Sequence, residues 1–146
     1  MPGKKKPAAK LDAIEVSAVI PADAKRLYEG WLDSKAHSDF TGGEAVIEPK
    51  VGGKHTAWDG YISGVTLALE PGRRILQSWR TTEFPKDARD SRLEVLFAKA
   101  QGGTRITFKH TDIPPGQGES YKQGWDEFYF QPMKRYFSRK KPRAAS

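Results

Sequence analysis

The sequence predicts an α+β fold in which a curved, seven-stranded antiparallel sheet closes around one long C-terminal helix. Three observations carry this expectation. Apolar residues alternate with polar ones in successive short segments, and tight-turn dipeptides separate those segments. One stretch alone, Gly118 to Ser138, turns to helical period with a broad aromatic stripe. The length of 146 residues, 37% of them hydrophobic and 11% aromatic, suits one domain with one core.

The first strand spans Leu11 to Ile20, with Ile14, Val16 and Ala18 on one parity and Glu15 and Ser17 on the other. Pro21 stops it and stands at or near the first position of a short amphipathic helix, Ala22 to Leu32, whose Leu27, Tyr28, Trp31 and Leu32 recur at three to four residues. Asp33-Ser34 breaks that helix, and another turn or two reaches Phe40 before Gly42-Gly43. Strands follow at Ala45 to Glu48 and Lys54 to Trp58. Asp59-Gly60 then makes a hairpin turn, because both residues tolerate positive φ.

Tyr61 to Glu70 is the next strand, and Pro71-Gly72 turns it into Arg74 to Thr81. Phe84 to Asp90 reads as a loop. Arg92 to Lys99 and Thr104 to His110 form the last pair, joined by Gly102-Gly103. Pro114-Pro115-Gly116 closes the sheet section. In the final helix Tyr121, Trp125, Phe128, Tyr129, Met133, Tyr136 and Phe137 share one stripe, and Pro132 is expected to kink it by removing a backbone bond and crowding the carbonyl of Phe128. A one-sided sheet must cover its apolar face, and only this helix is large enough. The result is a helix-grip arrangement, with a pocket expected where the curved sheet fails to fill its interior.

Composition narrows the function. The net charge is +7, yet Lys4, Lys5, Lys6 and Lys10 sit at one end and Lys134, Arg135, Arg139, Lys140, Lys141 and Arg143 at the other. Without those ten, 15 basic residues face 18 acidic ones, so the body is mildly acidic. The division expected is a basic flexible arm over 1–10, a domain over 11–138 and a basic flexible tail over 139–146. Basic ends of this kind are solvated or hold a polyanion weakly; no recognition-helix or RNA-binding motif accompanies them, so no nucleic-acid role is assigned beyond weak tail contacts. The chain has no Cys, which excludes disulfides, thiol catalysis and thiolate metal sites. No apolar run is long enough to span a membrane, and Met1 to Pro7 lacks the apolar segment of a secretory signal. A soluble cytoplasmic domain is the expectation.

Several strings stand in an ordered series: Val51-Gly52-Gly53-Lys54-His55, Asp59-Gly60, Ser63-Gly64, Glu70-Pro71, Ser78-Trp79-Arg80, Gly103-Thr104-Arg105-Ile106 and Gln123-Gly124-Trp125. Over about residues 12–138 this series resembles the activators of the ninety-kilodalton heat-shock protein ATPase, specifically the C-terminal domain of the eukaryotic co-chaperone and its single-domain bacterial relatives. That family lies within the START-like, birch-pollen-allergen-like (SRPBCC) superfamily, so the resemblance implies the same helix-grip fold. It also implies a chaperone as a possible partner. The co-chaperone's additional N-terminal domain has no room in 146 residues. The chain departs from its relatives at His55, where they commonly carry Phe, and at Pro132, where they carry Gly or a helix former.

Parity aims the side chains. Leu93, Val95, Phe97, Ile75 and Trp79 share the helix-facing side with Ile106, Phe108 and His110. His55 shares a face with Ala57, and the family register turns it inward. The expected site is an apolar pocket with Trp58, Trp79, Trp125 and Tyr129 as contact surfaces and His55 and His110 orienting a ligand's polar end, joined by Asp59 and Gln77. No catalytic residue is assigned: no nucleophile elbow and no Ser with an evident His–Asp pair is present. The turn glycines open no helix after a parallel strand, so no phosphate loop is implied. His37, His55 and His110 lie on different elements without metal-ligand spacing, so neither metal nor cofactor is expected. The leading expectation is binding of a hydrophobic or aromatic small molecule in a cavity between the C-terminal helix and the sheet; the alternatives are a chaperone-binding module and, third, an enzyme acting on a hydrophobic substrate.

Overall fold

The computed structural model describes residues 10–138, so the expected basic arm (apart from Lys10) and the tail over 139–146 lie outside the described residues. The sheet comprises β1 (Asp12–Ile20), β2 (Val46–Ile47), β3 (Lys54–Ala57), β4 (Ile62–Glu70), β5 (Arg74–Thr81), β6 (Ser91–Ala100) and β7 (Gly103–Ile113). All seven pair antiparallel in the order β1-β7-β6-β5-β4-β3-β2, so the first strand closes onto the last. Two-residue β2 and four-residue β3 form the ragged edge. A bulge between Thr66 and Ala68 interrupts the β4–β5 register, the kind of insertion that bends a strand and deepens twist.

The alternation sorts side chains as expected. Ile75, Gln77 and Trp79 of β5, Leu93, Val95 and Phe97 of β6, and Ile106, Phe108 and His110 of β7 are all buried on the concave side. Two helices, α1 (Ala24–Leu32) and α2 (Ser34–Thr41), cover one end. Asp23 caps α1 by accepting from the Arg26 amide at 2.8 Å, which places Pro21 before the helix and not at its first position. Asp33 ends α1 and caps α2 through the Ala36 amide at 2.8 Å. Left-handed Gly42 (φ 89°) terminates α2.

The C-terminal helix is continuous but not uniform. It runs as α3 (Gly118–Trp125), a π-helical turn over Asp126–Phe130, and α4 (Gln131–Ser138). The interruption expected at Pro132 therefore appears one turn earlier, where the Gln131 amide bonds to the carbonyl of Asp126 five residues back. Pro132 has no amide hydrogen and crowds the carbonyl of Phe128, so a widened turn just ahead of it accommodates what a regular helix resists. At the helix start, Asp12 on β1 accepts from the amides of Gly116 (3.0 Å) and Gly118 (2.8 Å), fastening α3 to the closing edge of the sheet. Among the described residues no helix is long and apolar enough to cross a membrane.

Candidate functional site

The helix and the sheet do not mesh completely. A cavity of about 400 Å³ opens between them, walled on the sheet side by Trp58, Tyr61, Ile62 and Trp79 and on the helix side by Tyr121, Gly124, Trp125, Phe128 and Tyr129, with Ser120 also on its lining. The helix residues fall three to four apart, so one face of α3 and the π turn supplies that whole wall. Phe128 is 49% exposed at the mouth, whereas its neighbours Tyr129 and Phe130 are buried.

Trp58 faces Phe128 across the opening, with ring centroids 5.9 Å apart in an edge-on arrangement. It does so from a costly backbone position: Trp58, Asp59 and Gly60 take φ of 53°, 59° and 91° in succession. A left-handed conformation costs a non-glycine residue on the order of 1–2 kcal/mol. The hairpin turn expected at Asp59-Gly60 thus begins one residue earlier. Gly43 makes room for it, since a Cβ there would stand 2.7 Å from Cε3 of the Trp58 ring. Asp59, expected in the pocket, is exposed and accepts from the Glu44 amide at 3.0 Å, because the extra left-handed residue turns it outward.

The tyrosine hydroxyls of the wall are already engaged. Tyr61 donates to Glu83 at 2.9 Å. Tyr121 donates to Gln117 at 2.8 Å and pairs with Thr81 at 2.7 Å. Tyr129 lies 3.0 Å from His37 Nε2, and His37 Nδ1 lies 2.9 Å from the carbonyl of Trp31. A carbonyl only accepts, so Nδ1 carries the hydrogen and Tyr129 donates to Nε2. Burial pushes the Tyr121 phenol up to about 12 and raises that of Tyr129 as well. Both stay neutral near pH 7, and what the cavity offers is chiefly aromatic carbon.

Behind that wall His110 is held by a one-way chain. Trp125 Nε1–H donates to His110 Nδ1 at 3.1 Å, His110 Nε2 lies 2.9 Å from Ser91 Oγ, and Ser91 donates to the carbonyl of Trp79 at 2.6 Å. An indole nitrogen only donates and a carbonyl only accepts, so every proton in the chain is placed. His110 is the neutral Nε2–H tautomer, and burial lowers its pKa to about 3. His37 is lowered to about 4, again chiefly by burial. His55 reaches across β4 to the carbonyl of Ser78 at 2.9 Å, and burial lowers its pKa too. Gly64, its partner in the β3–β4 register, allows this passage: a Cβ there would lie 2.6 Å from His55 Nε2 and collide with the Ser78 carbonyl.

Of the six residues expected to contact a ligand, the structure brings Trp58, Trp79, Trp125 and Tyr129 together on the cavity. It places His110 behind Trp125, fully buried, and His55 on a separate small chamber deeper in the sheet. Gln77 lies in that deeper layer, accepting from Trp31 Nε1 at 3.1 Å and donating to Thr66 at 3.1 Å. Tyr61, Tyr121 and Phe128 complete the cavity and were not singled out by sequence reasoning. Their signal lay in the stripe spacing (121, 125, 128) and in the residue after Asp59-Gly60. His37 gave no signal for its bond to Tyr129, which is 92 positions away. Among the described residues no three His, Asp or Glu side chains converge on a common point suited to a metal.

The family model for Activator of Hsp90 ATPase homolog 1-like protein matches residues 21–138. The human activator of 90 kDa heat shock protein ATPase homolog 1 is 28% identical over 135 residues, covering 92% of this chain and 39% of that protein. Its Dictyostelium discoideum counterpart is 29% identical over 136 residues, covering 92% of this chain and 34% of that protein. The chain therefore spans well under half the length of these curated relatives. Among solved structures, an HSP90 activator from Plasmodium falciparum superposes with a TM-score of 0.79 at 20% identity, covering 86% of this chain and 96% of the other. That likeness is one of fold and agrees with the helix-grip architecture. With a family model spanning most of its length, the chain belongs to the Activator of Hsp90 ATPase homolog 1-like family.

Proposed function

We propose that the chain binds a hydrophobic, ring-bearing small molecule between the C-terminal helix and the sheet, without transforming it. One observation carries the reading: a cavity of about 400 Å³ is walled by three of the four tryptophans together with tyrosines whose hydroxyls are already bonded to residues outside the wall. A ligand gains apolar and ring-on-ring contact there, each aromatic pair contributing roughly 0.5–1.5 kcal/mol beyond area burial. Catalysis has no support on this wall, because no histidine lines it, and His37 and His110, bonded to its Tyr129 and Trp125, are neutral and committed to fixed partners. The test is a melting curve with naphthalene as probe. Saturable stabilisation supports the reading, since a ligand bound at about 100 times its Kd adds roughly 2.7 kcal/mol; an unmoved curve across a broad set of lipophiles removes it.

A second reading is favoured by the family match over residues 21–138 and by the similarity to the human activator of 90 kDa heat shock protein ATPase: binding to a ninety-kilodalton-class chaperone through the exterior of the domain. Its test is the ATPase rate of the purified chaperone with this chain at saturation. An unchanged rate without complex formation removes it.

A further inference from the structure

Beneath the main cavity lies a chamber of about 10 Å³, and Ile62, Trp79 and Tyr129 belong to the walls of both. Its other polar lining is largely spent. His37 uses both ring nitrogens, Gln77 both ends of its amide, and Tyr129 its hydroxyl. Among its buried side chains two polar atoms remain. Trp79 is 4% exposed, and no hydrogen bond from its indole N–H exists among the described residues, whereas the indoles of Trp31 and Trp125 both donate. His55 is 6% exposed and bonds only through Nε2, to the Ser78 carbonyl. That carbonyl requires a hydrogen on Nε2, which leaves Nδ1 as a bare acceptor. No sealed polar side-chain atom lacks a partner among the described residues, so both atoms border open space and not packed carbon.

Trp79 and His55, each more than nine-tenths buried, thus both line this chamber, one with an unmatched donor and the other with an unmatched acceptor. We propose that the occupant is a neutral aromatic alcohol: its rings fill the large cavity, and its hydroxyl enters the chamber, accepting from Trp79 Nε1–H and donating to His55 Nδ1. Size and charge select this group. A chamber of about 10 Å³ holds roughly one water-sized oxygen, which a carboxylate or phosphate exceeds. No Lys or Arg lines either space, so an anion would be buried unpaired. An ammonium could not accept from Trp79. A plain hydrocarbon would leave both protein atoms unmatched.

The inference rests on the cavity-binding reading, and a pair of probes separates the two. Naphthalene and 2-naphthol differ only in the hydroxyl. In the unaltered protein, 2-naphthol should move the Trp79 indole N–H and the His55 Nδ1 nitrogen resonances, while naphthalene leaves the His55 nitrogen in place. The affinity ratio of 2-naphthol to naphthalene should fall about five- to tenfold in His55→Phe and again in Trp79→Phe, the equivalent of one hydrogen bond each. If either variant fails to fold, the nitrogen resonances of the unaltered protein decide. Naphthalene binding with an unmoved His55 nitrogen under 2-naphthol overturns the inference and leaves the cavity reading intact. Failure of both probes to bind overturns the two together.

Discussion

The indole N–H of Trp125 points at Nδ1 of His110 from 3.1 Å, and this bond joins the C-terminal helix to the last strand while fixing the histidine's state. A protonated His110 would set N–H against N–H. The neighbour expected to orient a ligand instead fastens the wall a ligand would touch. Two edge-on rings, Trp79 at 4.6 Å and Trp125 at 5.7 Å, and the tilted ring of Tyr121 at 6.1 Å between centroids complete the packing around it.

Acid should unfold the domain through its histidines. His37 and His110 have folded pKa values of about 4 and about 3, below the ordinary value of 6.5. In the pH range between the folded and ordinary values the unfolded chain binds protons that the native chain does not, so stability falls as pH falls. The loss begins near pH 6.5 and amounts to on the order of 1 kcal/mol per histidine per pH unit. Urea unfolding at pH 7.5, 6 and 5 should show a progressive decrease. A flat profile over that range contradicts the neutral assignments.

Ser91→Ala removes the only partner of His110 Nε2–H seen among the described residues. A buried donor left unpaired costs about 1–3 kcal/mol. Urea midpoints should drop accordingly with an unchanged m-value. A change below about 0.5 kcal/mol would show that the chain from Trp125 to the Trp79 carbonyl is not formed in solution.

Gly64→Ala should prevent folding or nearly so. The added methyl meets the Ser78 carbonyl and His55 Nε2 at once, and neither backbone nor a buried ring can yield cheaply. Circular dichroism and solubility report it directly; native-like thermal unfolding of the variant would contradict the β3–β5 passage of His55.

The inward faces of the strands were legible because each strand is buried on one side only. Leu93, Val95 and Phe97 declare their parity, and Phe108 and His110 inherit theirs from it. The helix stripe was equally clear, but its division into core and cavity was not. Period alone assigns Phe128 to the same stripe as Trp125, while the π turn leaves Phe128 at the mouth and Tyr129 inside. Nor does alternation register the left-handed Trp58, whose conformation depends on the bare Gly43 it approaches. His55 and His110 read correctly as inward-facing. What the sequence lacks is the register across the molecule that commits His110 to Trp125 and His55 to Ser78.

Phe128→Ala should separate binding from stability. Phe128 is half exposed and touches mainly the Trp58 edge, so its loss should change stability by less than about 0.5–1 kcal/mol. Without the ring a bound naphthalene should dissociate several-fold faster, because one side of its apolar enclosure is gone. Unaltered dissociation would place the binding site elsewhere.

The four tryptophans allow the most direct test, because Trp58, Trp79 and Trp125 line the main cavity and Trp31 does not. Indole N–H signals in a proton–nitrogen correlation spectrum, followed through a naphthalene titration, report on all four at once. A shared saturable shift of the first three with Trp31 nearly still is the predicted result. Signals that stay fixed to the solubility limit of naphthalene, or a Trp31 that moves as far as the others, would contradict a guest lodged between the helix and the sheet.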